Sequence, residues 1–140
     1  MKFWDSSALV GLLIEEENTA ALRQIRDGDP DHTVWCLTSV EIASAVARRV
    51  REGLGTARES SFRSEWKGLS EYWREISGVD QVRSRALRLL NTHALRAGDA
   101  LQLAAALVAC EDRPEGLPFV CLDDRLRDAA RREGFPVLPA

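Results

Sequence analysis

The chain has 140 residues, 45% of them hydrophobic and 29% charged, with a formal net charge of −3. That is enough apolar content for one core in a single domain, 1–140, and too acidic for a protein that coats nucleic acid by bulk electrostatics. It leaves room for a nucleic-acid enzyme, because acids that hold cations also contribute negative charge. The longest apolar stretch, Ala97 to Cys110, is broken by Asp99 and Gln102 and is too short to span a bilayer. Lys2 followed by Asp5 does not resemble a secretory signal, so a cytoplasmic protein with no membrane partner is expected. Cys36, Cys110 and Cys121 are odd in number, far apart and embedded in apolar segments, which reads as buried free thiols.

Lys2 to Trp4 reads as a short strand stopping at Asp5, and Ser6 and Ser7 open a helix that carries Leu9, Val10, Leu13 and Ile14. A second helix is expected from Glu15 to Arg26, with Ala20, Leu22 and Ile25 as its apolar side. Asp27-Gly28-Asp29-Pro30-Asp31 then breaks the chain. Thr33 to Leu37 has the β-branched and aromatic content of a buried strand, and Thr38 or Ser39 caps a helix over Val40 to Arg51. From Thr56 to Ile76 the residues Phe62, Trp66, Leu69, Tyr72, Trp73 and Ile76 recur as one helical stripe. Another helix is expected from Asp80 to Asn91 on Val82, Ala86, Leu87, Leu89 and Leu90. The most apolar helix follows Gly98, Phe119 to Leu122 reads as a buried strand, Asp124 to Glu133 as a short helix, and Val137-Leu138 as a last strand.

Short apolar strands separated by helices predict an α/β fold. It is a parallel sheet of four to five strands covered on both faces by about seven helices. In such folds ligands gather beyond the C-terminal strand ends. Four acids stand out against that frame. Asp5 and Asp123 directly follow strands, Glu41 lies four residues after one, and Asp99 sits inside the apolar helix. Unpaired buried carboxylates are costly, so several converging on one edge point to a shared cation, with a divalent metal the simplest.

Each acid also has a structural reading. Asp5 and Asp123 are good helix caps, Glu41 sits in a first turn favoured by the helix dipole, and Arg96 stands three residues before Asp99 as an ion-pair partner. His32, in a loop of acids and Pro, and His93, at a helix end, have structural explanations, and no Gly-x-Ser-x-Gly turn or phosphate loop is present. The Trp66–Trp73 stripe reads as packing. Arg48, Arg49 and Arg51 read as a solvated helix end within reach of a phosphate backbone.

The acid-bearing segments resemble those of the PIN domain, and specifically the small VapC-type toxins of toxin–antitoxin pairs. Phe3-Trp4-Asp5-Ser6-Ser7 is similar to that family's opening segment, Thr38-Ser39-Val40-Glu41 to its second, Arg96-Ala97-Gly98-Asp99-Ala100-Leu101 to its third, and Val120-Cys121-Leu122-Asp123-Asp124 to its last. The resemblance implies a three-layer α/β/α sandwich and a Mg²⁺- or Mn²⁺-dependent endoribonuclease, commonly a homodimer and inhibited by a cognate antitoxin. On it, Asp5, Glu41, Asp99 and Asp123 are the expected metal ligands and catalytic residues. Ser6, Ser7 and Arg96 are the expected contacts to a ligand or to RNA phosphate. An oxygen-only ligand set suits those two hard ions better than zinc. Two alternatives stay open: a non-catalytic PIN-like binding module, and a switch phosphorylated on Asp5.

Overall fold

In the computed structural model, which describes residues 1–140, five short parallel strands run in the spatial order β3-β2-β1-β4-β5. They are β1 (Lys2–Trp4), β2 (His32–Trp35), β3 (Arg74–Ile76), β4 (Phe119–Val120) and β5 (Val137–Leu138). The helices are α1 (Ser6–Leu13), α2 (Thr19–Asp27), α3 (Thr38–Arg51), α4 (Thr56–Ser70), α5 (Val79–Thr92), α6 (Ala97–Ala109) and α7 (Asp124–Glu133). The expected sandwich, with its parallel sheet and seven helices, is what the chain adopts.

Because side chains alternate across a strand, neighbouring residues feed opposite layers. Phe3, Trp35 and Phe119 enter the core formed with α5, α6 and α7. Trp4, Val34 and Val120 enter the core formed with α1 to α4. Both faces are buried, so the strands read as continuous apolar runs rather than alternating ones. Phe3 and Phe119 stack across the β1–β4 pair with ring centroids 5.5 Å apart. Gly134, with φ of 101°, ends α7 in the left-handed region that a side-chain-bearing residue resists, and this turns the chain into β5.

The order of strands fixes where a site forms. The chain winds from β1 outward to β2 and β3, then crosses back to place β4 on the other side of β1. The winding direction therefore reverses between β1 and β4, and the crevice past their C-terminal ends is where such sheets receive ligands. Asp5 follows β1 there and Asp123 follows β4. The Asp5 backbone N–H donates to the Val120 carbonyl at 3.0 Å, tying the two exits together.

Several expectations from periodicity need correction. The stripe from Thr56 to Ile76 is not one helix: α4 ends at Ser70, and Arg74–Ile76 pairs with β2 as an edge strand. Trp66 and Trp73 still meet edge to face at 5.6 Å, because the strand folds back beside the helix, whereas Tyr72 lies at the turn and is exposed. The helix expected from Glu15 begins only at Thr19. The Thr19 hydroxyl donates to the Gly11 carbonyl at 2.6 Å and accepts from the Glu16 N–H at 2.8 Å, which holds residues 15–18 as a turn. His32 is the first residue of β2 rather than part of a loop. Leu87 and Leu90 face solvent on α5, and only Cys121 of the three free thiols is fully buried.

Candidate active site

All four singled-out acids line one recess of about 710 Å³ at the β1–β4 crevice, with Ser6, Ser7 and Arg96 on its walls. A second recess of about 620 Å³ continues past Glu41, Arg96, Asp99 and Asp123 toward the start of α7. The sequence separation between these acids is closed by the sheet: β1 and β4 deliver Asp5 and Asp123, while α3 and α6 bring Glu41 and Asp99 from opposite layers.

Asp5 is the most buried of them, 2% exposed. Its Oδ2 accepts from the Ser7 N–H at 3.0 Å, capping α1, and from the Ser7 hydroxyl at 2.5 Å. The Cys121 thiol donates to the same oxygen at 3.5 Å. Ser7 Oγ in turn accepts from the Leu122 N–H at 3.0 Å, so one hydroxyl fixes Asp5 against the connection leaving β4. Burial raises the Asp5 carboxyl from its ordinary value to about 6. The two Ser7 bonds oppose that rise, and the charges of Glu41 and Asp99 add to it. Burial, with Asp5 alongside, also holds the Cys121 thiol far above its usual range, so it remains a protonated donor.

Glu41 accepts from the Ser6 hydroxyl at 2.7 Å through Oε2 and from the Gln102 amide at 3.2 Å through Oε1. Gln102 is fully buried; its amide also donates to Thr38 Oγ1 at 3.0 Å, and its own Oε1 has no partner. Asp99, half-buried on the first turn of α6, is raised by desolvation and by the charges of Asp123 and Glu41, with Arg96 pulling the other way. Arg96 precedes α6 and is exposed, and it forms no ion pair with Asp99, contrary to the structural reading of that acid. Asp123 is exposed, and its Oδ1 caps α7 by accepting from Leu126 N–H at 2.9 Å.

The geometry thus brings together every expected site residue and specifies what the serines do. Both hydroxyl protons go to carboxylates, so Ser6 and Ser7 orient acids rather than face outward. Capping and pocket lining coexist at Asp5 and Asp123. Sequence reasoning missed Gln102 and Cys121 as partners of the acids. The signal for Gln102 was its place three residues after Asp99 in a helix otherwise apolar, on the same face. Asp29, the one other buried acid besides Asp5, shows the contrast: it accepts from Trp4 Nε1 at 2.8 Å, pairs with the Met1 amine at 3.4 Å, and serves the fold. His93 is likewise structural, held by Glu133 at 2.7 Å.

Residues 2–132 match the family model of the PIN domain. The chain belongs to the PIN domain family. It is 30% identical over 139 residues to "Ribonuclease VapC45" of Mycobacterium tuberculosis (strain CDC 1551 / Oshkosh). It is equally similar to "Ribonuclease VapC49" of Mycobacterium tuberculosis (strain ATCC 25618 / H37Rv). Each alignment covers 99% of this chain and 94% of the relative. The four acid-bearing segments that carry the resemblance to PIN domains all lie inside the matched span. No helix is long and apolar enough to cross a membrane.

The donor set suits a hard cation. Four carboxylates face one crevice without histidine or cysteine as an alternative ligand, since the Cys121 thiol is kept protonated. They line the crevice without forming a closed three-ligand cluster. The raised Asp5 and Asp99 carboxyls mark a place where negative charge is under-compensated by the protein's own groups.

Proposed function

We propose that this PIN domain is a VapC-like endoribonuclease that hydrolyses RNA phosphodiester bonds with a divalent ion, Mg²⁺ or Mn²⁺. The observation that carries the reading is the meeting of Asp5, Glu41, Asp99 and Asp123 in one crevice at the sheet's switch point. Asp5 and Asp99, the two with raised carboxyls, are the principal ligands, and Glu41 and Asp123 complete the set directly or through water. A bound ion supplies Lewis acidity, easing proton loss from water and offsetting charge on phosphate oxygens.

The protein's own residues do the rest. Ser7 locks Asp5 in one rotamer, and Ser6 with Gln102 holds both oxygens of Glu41, so the ligands are positioned before substrate arrives. Arg96, exposed beside Asp99 and without an ion pair, faces the crevice to receive the scissile phosphate. The 140 residues act as one cytoplasmic domain, commonly paired as a homodimer, with a cognate antitoxin as inhibitor. A phosphoacceptor switch is disfavoured because no lysine lines the crevice: Lys2 reaches the Gly28 carbonyl instead. A purely binding module would not need four converging acids.

The test is cleavage of single-stranded RNA by the purified chain. Activity is expected with Mg²⁺ or Mn²⁺, lost with EDTA, restored by either ion and poorly by Zn²⁺, and absent in Asp99→Asn. Chelator-resistant cleavage, or an active Asp99→Asn, rules the reading out. Co-purification with the product of the adjacent open reading frame tests the antitoxin.

A further inference from the structure

Arginine is used lavishly in this acidic chain, and most of it is spent on carboxylates. Arg85 binds Asp112, Arg88 binds Glu133, and Arg74 binds Asp31. On the rim of the acid crevice Arg49 is also taken, by Glu16. Besides Arg96, which lies among the acids without an ion pair, two arginines farther along the same crevice behave differently. Arg48 lines the larger recess and Arg125 the smaller one, both are exposed, and neither joins an ion pair despite the four acids nearby. The two recesses share Glu41, Arg96, Asp99 and Asp123, so they form one continuous path with the acids at its middle.

The placement is set by the helices. Arg48 lies seven residues after Glu41 on α3, two turns along the same face and roughly 10 Å from it along the axis. Arg125 sits in the first turn of α7, two residues beyond Asp123, on the opposite side of the acids. A cluster of carboxylates repels a polyanion, so a strand crossing it needs cations beyond the cluster on both sides. Guanidinium groups suit this because they grip phosphate oxygens through two parallel N–H bonds.

We infer that Arg48 and Arg125 are the two ends of a phosphate track. Single-stranded RNA crosses the acids with one backbone phosphate held on the α3 flank and another on the α7 flank. The inference rests on the ribonuclease reading and adds substrate-positioning residues to it. It predicts recognition of the backbone at those two points, with little dependence on base identity there.

The test uses the full chain carrying Asp99→Asn and a fluorescein-labelled 12-nucleotide single-stranded RNA with Mg²⁺, followed by anisotropy across a salt series. Arg48→Ala and Arg125→Ala are each expected to weaken binding about ten-fold and to lower the slope of log affinity against log salt by about 0.7, the value for one lost phosphate contact on a single strand. Arg48→Lys and Arg125→Lys should keep the slope while losing part of the affinity. Mn²⁺ affinity of the otherwise native chain, read by electron paramagnetic resonance, should stay within two-fold in either alanine variant, which a misfolded crevice would not allow. Unchanged RNA affinity and slope in either alanine variant overturns the track, as does weaker binding with an unchanged slope. A native chain that binds RNA through both arginines yet cuts none with Mg²⁺ or Mn²⁺ supports the track and overturns the nuclease reading. Cleavage with unchanged KM after both arginines are replaced overturns the track alone.

Discussion

Replacing Asp5 by Asn should make the ion-free protein more stable, although Asp5 is central to the site. Asp5 is 2% exposed and its carboxyl is raised from 3.8 to about 6, chiefly by burial. That difference makes ionising Asp5 about 3 kcal/mol costlier in the folded chain than in the unfolded one. The sign follows from proton counts. Between pH 4 and 6 the folded state binds more protons than the unfolded state, so stability falls as pH rises through that window, and the full cost applies above it. Asparagine carries no such cost. All three hydrogen bonds to Asp5 end on Oδ2, so the amide oxygen of Asn can accept them, and Asn caps a helix as well as Asp does. In EDTA at pH 8, Asp5→Asn should therefore melt about 6–12 °C higher than the native chain, at 2–4 °C per kcal/mol for a domain of this size. Near pH 4 the gap should shrink to about 0.6 kcal/mol, and saturating Mg²⁺ at pH 8 should close it by stabilising only the native chain. An equal or lower melting temperature at pH 8, or a gain that does not change with pH, would refute the account of Asp5 as a desolvated ligand.

Asp99→Asn should likewise raise the melting temperature in EDTA at pH 8, by less than Asp5→Asn because Asp99 is only half-buried and Arg96 partly offsets its repulsion; differential scanning calorimetry checks the order. Mn²⁺ affinity measured by calorimetry should weaken as pH falls through about 6, because protons compete for Asp5, and a flat profile between pH 5 and 7 would contradict Asp5 as a ligand. Gln102→Leu removes the bonds to Glu41 and Thr38 but also the buried, unpartnered Oε1. Its thermal stability should stay within about 1 kcal/mol of native while kcat for RNA cleavage drops roughly ten-fold. A large loss of stability with full activity would make Gln102 purely structural.

Sequence patterning located the sheet and the acids well because both signals are local. Buried parallel strands are uniform apolar runs, and an acid ending such a run is conspicuous whether or not its neighbours are known. Patterning failed where tertiary contacts decide the conformation. Trp73 and Ile76 keep helical spacing from Trp66, yet β2 offers Thr33, Val34 and Trp35 as pairing partners, and a strand there pairs the outer backbone groups of β2, which a longer helix would leave open. The late start of α2 depends on one hydroxyl, Thr19, reaching back to Gly11, which no window of sequence reveals. The hydrogen-bond partners of the acids were invisible for the same reason: Cys121 and Asp5 are 116 residues apart, and Gln102 and Glu41 are 61 apart.

The structural and chemical readings of the acids turn out not to compete. A cap fixes a carboxylate by giving one of its oxygens to a backbone N–H at the positive end of a helix, and this also steadies negative charge at that end. Asp5 and Asp123 sit at the starts of α1 and α7, so each helix contributes positive potential to the crevice from its own side. Capping uses Oδ2 of Asp5 and Oδ1 of Asp123, leaving the second oxygen of each carboxylate outside these bonds. The helix starts thus hold two members of a mutually repelling set, in which Glu41 and Asp99 act on Asp5, and Asp123 and Glu41 on Asp99, and the fold tolerates it without an arginine ion-paired to any of the four. A protein selected for stability alone would neutralise that repulsion, as Asp29 is neutralised by the Met1 amine and Trp4. Leaving it in place at the switch point is what a cation site requires.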